Sequence, residues 1–337
     1  MRRLFVILSW MAITGCGASG GGDDFLPAGE QAVFIVCEGN YGASNATLSI
    51  LETTAYDTTF TDVYKKANGN KLGDMAHSML MIDSLGFIAV TFSDKIEIIN
   101  TRTFESEGTI ENIKTPRNLV YANGKLYATS YEDSAVIRID YSTHVVESSI
   151  KLRHRPDEIA VLGNKVFVSN SPNRNDSVIS VIDLASERAD TIIVGKNPVA
   201  LVADNARNRI YVACSGLNGG AGFIAVIDAN SESMIAKLEE FQSVRPVKLA
   251  LQDSLLAYIS GSNSLRIYNL NLNAAIKSIS NNLTFYSLSF IDGELMATDG
   301  LDFVSSGFLY RFDAQFNFKK QYPVGVAPSA IVGANQE

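Results

Sequence analysis

The chain reads as an all-β protein, a seven-bladed β-propeller closed by pairing of the C-terminal strand with the N-terminal blade. Two observations predict this. One unit of about forty residues recurs along the sequence, a period typical of blade architectures. The two ends of the chain carry complementary fragments of that unit. The repeat is marked by Pro116, Pro156, Pro198, Pro246 and Pro328, each followed three residues later by Leu119, Ile159, Leu201, Leu249 or Ile331. Successive gaps are 40, 42, 48 and 82, the last being two periods. His77 and Phe285 take the proline slot in the two remaining units, which brings the count to seven.

Within a unit, the proline lead-in opens the first strand. Some ten residues later comes a short, continuously apolar segment: Leu-Tyr-Ala-Thr at 126–129, Val-Phe-Val-Ser at 166–169, Ile-Tyr-Val-Ala at 210–213. Such runs fit strands covered on both faces. A further strand ends at an acidic residue: Asp140, Asp183 and Asp228. The first unit, from Ala32, has later strands at 33–36 and 47–51 but no lead-in strand, and 326–333 supplies that piece. Sharing one blade between the termini leaves no open sheet edge there. Residues 32–337 are therefore read as one propeller domain.

The first residues read as an address. Arg2 and Arg3 precede an apolar run at 4–13, too short to span a bilayer and placed as a signal peptide. It ends in Ile-Thr-Gly-Cys at 13–16, which resembles the lipobox of bacterial lipoproteins. The resemblance implies that 1–15 is a signal peptide and that Cys16 carries lipid. Residues 16–31 then form a tether, flexible through the glycines of 17–22. Asp23 and Asp24 resemble a surface-export signal of one Gram-negative lineage, so the expected location is the outer membrane, lipid-anchored and facing outward.

Composition narrows the function classes. The net charge of −8 and the lack of a basic stripe argue against nucleic acid. The single Trp, Trp10, lies in the leader, which excludes a Trp-Asp repeat propeller and argues against a quinone cofactor. Cys37 and Cys214 hold the same repeat position in the first and fifth blades, too far apart for a bridge, and are expected free. No nucleophile elbow, Walker loop or dinucleotide fingerprint occurs. His77, His144 and His154 are expected on exposed loops, with no central histidine or carboxylate set. A non-catalytic protein without metal or cofactor, monomeric in solution, is the expectation.

The candidate site follows from the repeat. Second strands end at Cys37, Thr91, Ser130, Asn170, Cys214, Ser260 and Asp299, and open into loops on the face of the proline lead-ins. Those loops carry Asn40, Tyr41, Tyr131, Asn173, Arg174 and Phe303, with a glycine-rich loop at 215–222. The lead-ins add Arg117, Arg155, Arg245 and Tyr286. With Asn170 and Asp299, these twelve residues form the candidate ligand-binding set, because loops gathered on one scaffold face are where binding concentrates. Glu38, Glu132, Asp133, Asp157 and Asp302 share the rim. Mixed charge suits a large polar neutral ligand or a protein better than a phosphate-rich one.

The pattern from Asn197 and Pro198 through Ile-Tyr-Val to Val-Ile-Asp at 226–228 resembles the YncE-type seven-bladed propellers. The opening at 33–42, Val-Phe-Ile-Val-Cys-Glu-Gly-Asn-Tyr-Gly, resembles the Asn-Glu-Gly-Asn-Phe-Gly opening of lipid-anchored YncE-like proteins of Bacteroides-type bacteria. Cys37 stands where those usually have Asn, and Tyr41 replaces Phe. That group includes BtuG-type proteins, which capture cobalamin and pass it to a TonB-dependent outer-membrane transporter. The resemblance implies a corrinoid, or another large polar small molecule, as ligand and such a transporter as partner. The alternatives are a surface adaptor or glycan-binding propeller and, less favoured, a propeller lactonase or lyase.

Overall fold

A computed structural model describes residues 32–333, apart from 171–175, 218–220, 242, 243, 262 and 281. Seven antiparallel four-stranded sheets succeed one another along the chain. The blade closing the ring contains Pro328–Gly333, Val33–Cys37, Thr47–Glu52 and Thr58–Phe60, in that order. The two ends pair as expected, with Ile35 opposite Ile331 and Val33 opposite Gly333. Counting it as the first, the innermost strands of the second to seventh blades are Ala76–Ile82, Pro116–Ala122, Ile159–Leu162, Pro198–Asp204, Pro246–Gln252 and Phe285–Ile291. Each inner strand neighbours the next, and the last returns to the first, so they ring a common axis. The signal peptide, Cys16 and the tether lie outside the described residues.

Hydrophobic patterning explains the radial order. Second strands such as Lys125–Ser130 and Arg209–Cys214 are buried almost throughout, because neighbouring blades cover both faces. The outer strands of the second to fourth blades are polar with one buried isoleucine each: Ile110, Ile150 and Ile192. Cys37 and Cys214 are free and buried. A short helix, Val63–Asn68, is an addition the repeat does not announce. Its Tyr64 hydroxyl donates to buried Glu97 at 2.9 Å, which also accepts from Lys95 and Ser106.

The acidic ends of the third strands are turn caps on the far face. Asp140 Oδ1 accepts from Ser142 N at 3.0 Å and Thr143 N at 2.9 Å. Asp228 and Asn269 hold their turns in the same way, the latter through Asn271 N and Leu272 N. These oxygens mimic a backbone turn and are locally satisfied.

Candidate functional site

One backbone hydrogen bond recurs and defines the opposite, loop face. Tyr131 N donates to Thr115 O, Ser215 N to Asn197 O, Gly261 N to Arg245 O and Gly300 N to Thr284 O. It ties the end of each second strand to the residue before the inner strand, so both loop sets share one face. The residue before the inner strand is left-handed at Met75, Thr115, Asn197 and Ala327, which turns the chain sharply toward the axis.

This register corrects the second unit. Ala76 pairs with Val90 just as Pro116 pairs with Ser130, so the proline slot belongs to Ala76 and the strand end to Val90. His77 therefore corresponds to Arg117, Asp157, Tyr286 and Ser329, one residue beyond the slot. In six of the seven blades the ladder is irregular at that point. A bulge there re-aims side chains, which lets two successive residues face the axis.

What gathers there is a central polar circuit, contrary to the expectation of no central histidine or carboxylate. His77 is 7% exposed and Glu38 4%, neither on an open loop. His77 Nδ1 donates to Glu38 Oε1 at 2.6 Å, and Nε2 stands 4.0 Å from Asp157 Oδ1. Tyr286 donates its hydroxyl to Glu38 Oε2 at 2.7 Å, and Arg117 Nε donates to Asp157 Oδ1 at 3.0 Å. Lys248 pairs with Glu158, from the sixth blade to the fourth. Every blade but the fifth contributes a polar or charged side chain near the axis; at the matching positions the fifth has Val199 and Ala200.

The carboxylates are ionised by their neighbours. Burial alone pushes the Glu38 carboxyl up, but His77, Tyr286 and Arg117 outweigh it and hold it below the usual range. Burial likewise opposes ionisation of Asp157, while Arg117, His77 and Lys248 together bring its pKa down. Tyr286 is pushed up, by burial first and then by the Glu38 charge, so it stays a neutral donor. Hydroxyl–carbonyl bonds brace the circuit: Ser329 Oγ to His77 O at 2.8 Å, Thr129 Oγ1 to Asp157 O at 2.8 Å.

Around this mouth stand the rim residues. Tyr41 is 75% exposed, packed edge-on against Phe92 with centroids 4.8 Å apart. Phe303, 40% exposed, packs edge-on against Tyr286 at 4.9 Å, and its carbonyl accepts from Asn40 Nδ2 at 2.9 Å. Arg155 lies over the Tyr131 ring, 4.8 Å from its centroid, and Arg245 is exposed. Asn170 and Asp299 are buried supports: Asn170 bonds Val178 O and Ser180, and Asp299 Oδ1 accepts from Thr284 N and Leu301 N. Asn173 and Arg174 lie outside the described residues. His154, half-buried, pairs with Asp176 at 2.8 Å.

Glu158 and Lys248 escaped the sequence reading, and His77 was placed on the surface. The signal was the position after the proline slot, visible once all seven units are aligned to one register. Among the described residues no cluster of three or more His, Cys, Asp or Glu is arranged as a metal centre. No helix among them is long and apolar enough to cross a membrane. A groove of about 490 Å³ lies at the outer edge of the sixth and seventh blades, lined by Ile279, Tyr310, Phe312 and Phe316. Lys277, Asn317 and Gln321 also line it, with Lys277 donating to Asn317 at 3.2 Å, but it lies away from the face on which the loops of the blades gather, and the axial mouth is the better site.

No protein-family model matches the chain. No curated protein matches it either. Solved structures do. A quinoprotein alcohol dehydrogenase-like protein from Bacteroides thetaiotaomicron superposes with a TM-score of 0.70 at 14% identity, covering 91% of this chain and 79% of that one. Kuenenia stuttgartiensis hydrazine synthase gives 0.65 at 13% identity, over 75% and 88%. The computationally designed Ika8 protein gives 0.62 at 10% identity, over 91% and 96%. At such identities the likeness establishes the propeller fold alone.

Proposed function

We propose that the loop face over the axis captures a large, polar, uncharged small molecule without transforming it, and that the ligand is a corrinoid. The observation that carries this reading is a polar axial mouth bordered by aromatic pairs: Tyr41 with Phe92, and Tyr286 with Phe303. Flat rings cover a broad neutral ligand, while Asn40 and the Arg155–Tyr131 pair supply hydrogen bonds at its edge. The proposal includes anchoring of the chain through Cys16 at the outer-membrane surface and delivery to a TonB-dependent transporter.

The test is direct. Purified protein mixed with cyanocobalamin is passed through a desalting column, and corrin absorbance is followed with the protein peak. Stoichiometric co-elution, lost when Tyr41, Tyr131 and Arg155 are all replaced by Ala, supports the reading. Absence of co-elution overturns it in favour of a surface adaptor or glycan binder.

A catalytic reading has one observation behind it. His77 lies between two carboxylates, Glu38 and Asp157, and Glu38 also accepts from the Tyr286 phenol; such a set can move protons. Recovery of a chemically altered corrinoid after incubation would favour catalysis over capture.

A further inference from the structure

We infer that the axial mouth is a subsite for a neutral primary carboxamide, read by Arg117 and Asp157 as one donor–acceptor unit. This rests on the reading that a ligand binds this face, and not on that ligand being a corrinoid.

The axial groups leave several polar edges unused. Arg117 makes one side-chain hydrogen bond among the described residues, from Nε to Asp157 Oδ1, so its Nη1 and Nη2 edge is uncommitted. Asp157 Oδ2 likewise has no partner among the described residues, and Glu158 engages only one carboxylate oxygen, with Lys248. None of these atoms is sealed from solvent. The side chains are 24% exposed for Arg117 and 17% for Asp157, enough to present one edge while the rest is held. The pair is rigid: Asp157 O accepts from Thr129 and from Asn118 Nδ2, and Arg117 O accepts from Ser78. An unused donor edge thus stands beside an unused acceptor on a fixed scaffold, as preorganised recognition requires.

Charge selects among ligands that could use this pair. The axis holds three carboxylates, Glu38, Asp157 and Glu158, against two permanent cations, Arg117 and Lys248; His77 adds a third cation only when protonated. A carboxylate or phosphate on the Arg117 fork would sit beside Asp157 Oδ2, and like charges at that separation repel. A cation would meet the guanidinium. A primary carboxamide meets both requirements without charge: its carbonyl accepts from Arg117 Nη and its NH₂ donates to Asp157 Oδ2.

The chain contains three histidines, so ring-proton NMR can isolate His77, which stands 4.0 Å from Asp157; His144 and His154 serve as internal controls. Propionamide and propionate are titrated separately into the purified protein. The expected result is a saturable shift of the His77 ring signals with propionamide, at a half-saturation about tenfold lower than with propionate. Arg117→Lys keeps the charge and removes the fork, and should abolish the propionamide shift. Asp157→Asn should erase the preference between the probes. If propionate matches or exceeds propionamide in the native protein, the site reads anions and the inference falls. It falls equally if neither probe moves His77. Because neither probe is a corrinoid, failure with cyanocobalamin would leave this result standing, and the native protein alone decides should a variant not fold.

Discussion

The two faces of the propeller use the same residue types in opposite ways. On the far face, Asp140, Asp228 and Asn269 give their oxygens to backbone N–H groups two and three residues ahead. On the loop face, Glu38 binds a histidine 39 residues away and a tyrosine 248 residues away. The far-face carboxylates cap turns that form within one hairpin. The axial ones are held only if several blades arrive together, and Glu38 is buried among them. An acidic residue at a strand end is therefore a turn device by default, and becomes a functional candidate when its partners come from other blades.

Breaking the axial side of this comparison should have the largest effect. Glu38→Ala removes the acceptor for both His77 and Tyr286 and leaves a buried ring N–H and a hydroxyl unpaired. A loss of about 3 kcal/mol in urea unfolding is expected, the scale of breaking a buried pair from one side. A loss no greater than that of an exposed turn residue would show that the circuit does not couple the blades.

Acid should reveal the same circuit. Glu38 and Asp157 have folded pKa values below their usual ones. Their contribution to stability is complete above the unfolded values, near about pH 4, and is lost as pH falls through the lower folded values. Melting temperature should thus drop steeply on acidification below that point, and less steeply in Glu38→Gln. Parallel profiles for the two proteins would assign the acid loss elsewhere.

The far-face side can be sharpened with Asn269→Ala, which deletes one local cap. A loss of about 1 kcal/mol is expected, with no change in corrinoid retention. The smallest effect on stability belongs to Tyr41→Ala, within about 0.5 kcal/mol because the ring is exposed. That variant should nevertheless weaken cyanocobalamin retention on the column. Unchanged retention would move the ligand away from the first-blade loop.

Much of the architecture was legible because it is local or periodic. The proline spacing, the apolar second strands and the divided blade at the termini each reflect a rule acting within about forty residues. Loop-face membership of Tyr41, Phe303 and Arg155 followed from the same periodicity. The assignment of His77 to an exposed loop failed because one unit was aligned a residue out of register. In a strand that slip exchanges an outward for an inward position.

By itself the sequence determined the number of blades, their closure and the face on which the loops gather, since these depend on hydrophobic period and on where a turn can form. Only the tertiary structure decided that Glu38, His77, Arg117, Asp157 and Tyr286 belong to one circuit. They come from five blades; four share the position after the proline slot, a spacing legible only once the second unit is put in register, and Glu38 lies outside that position. The ring geometry brings the start of every inner strand to one axis, and the bulge there chooses which side chains face it.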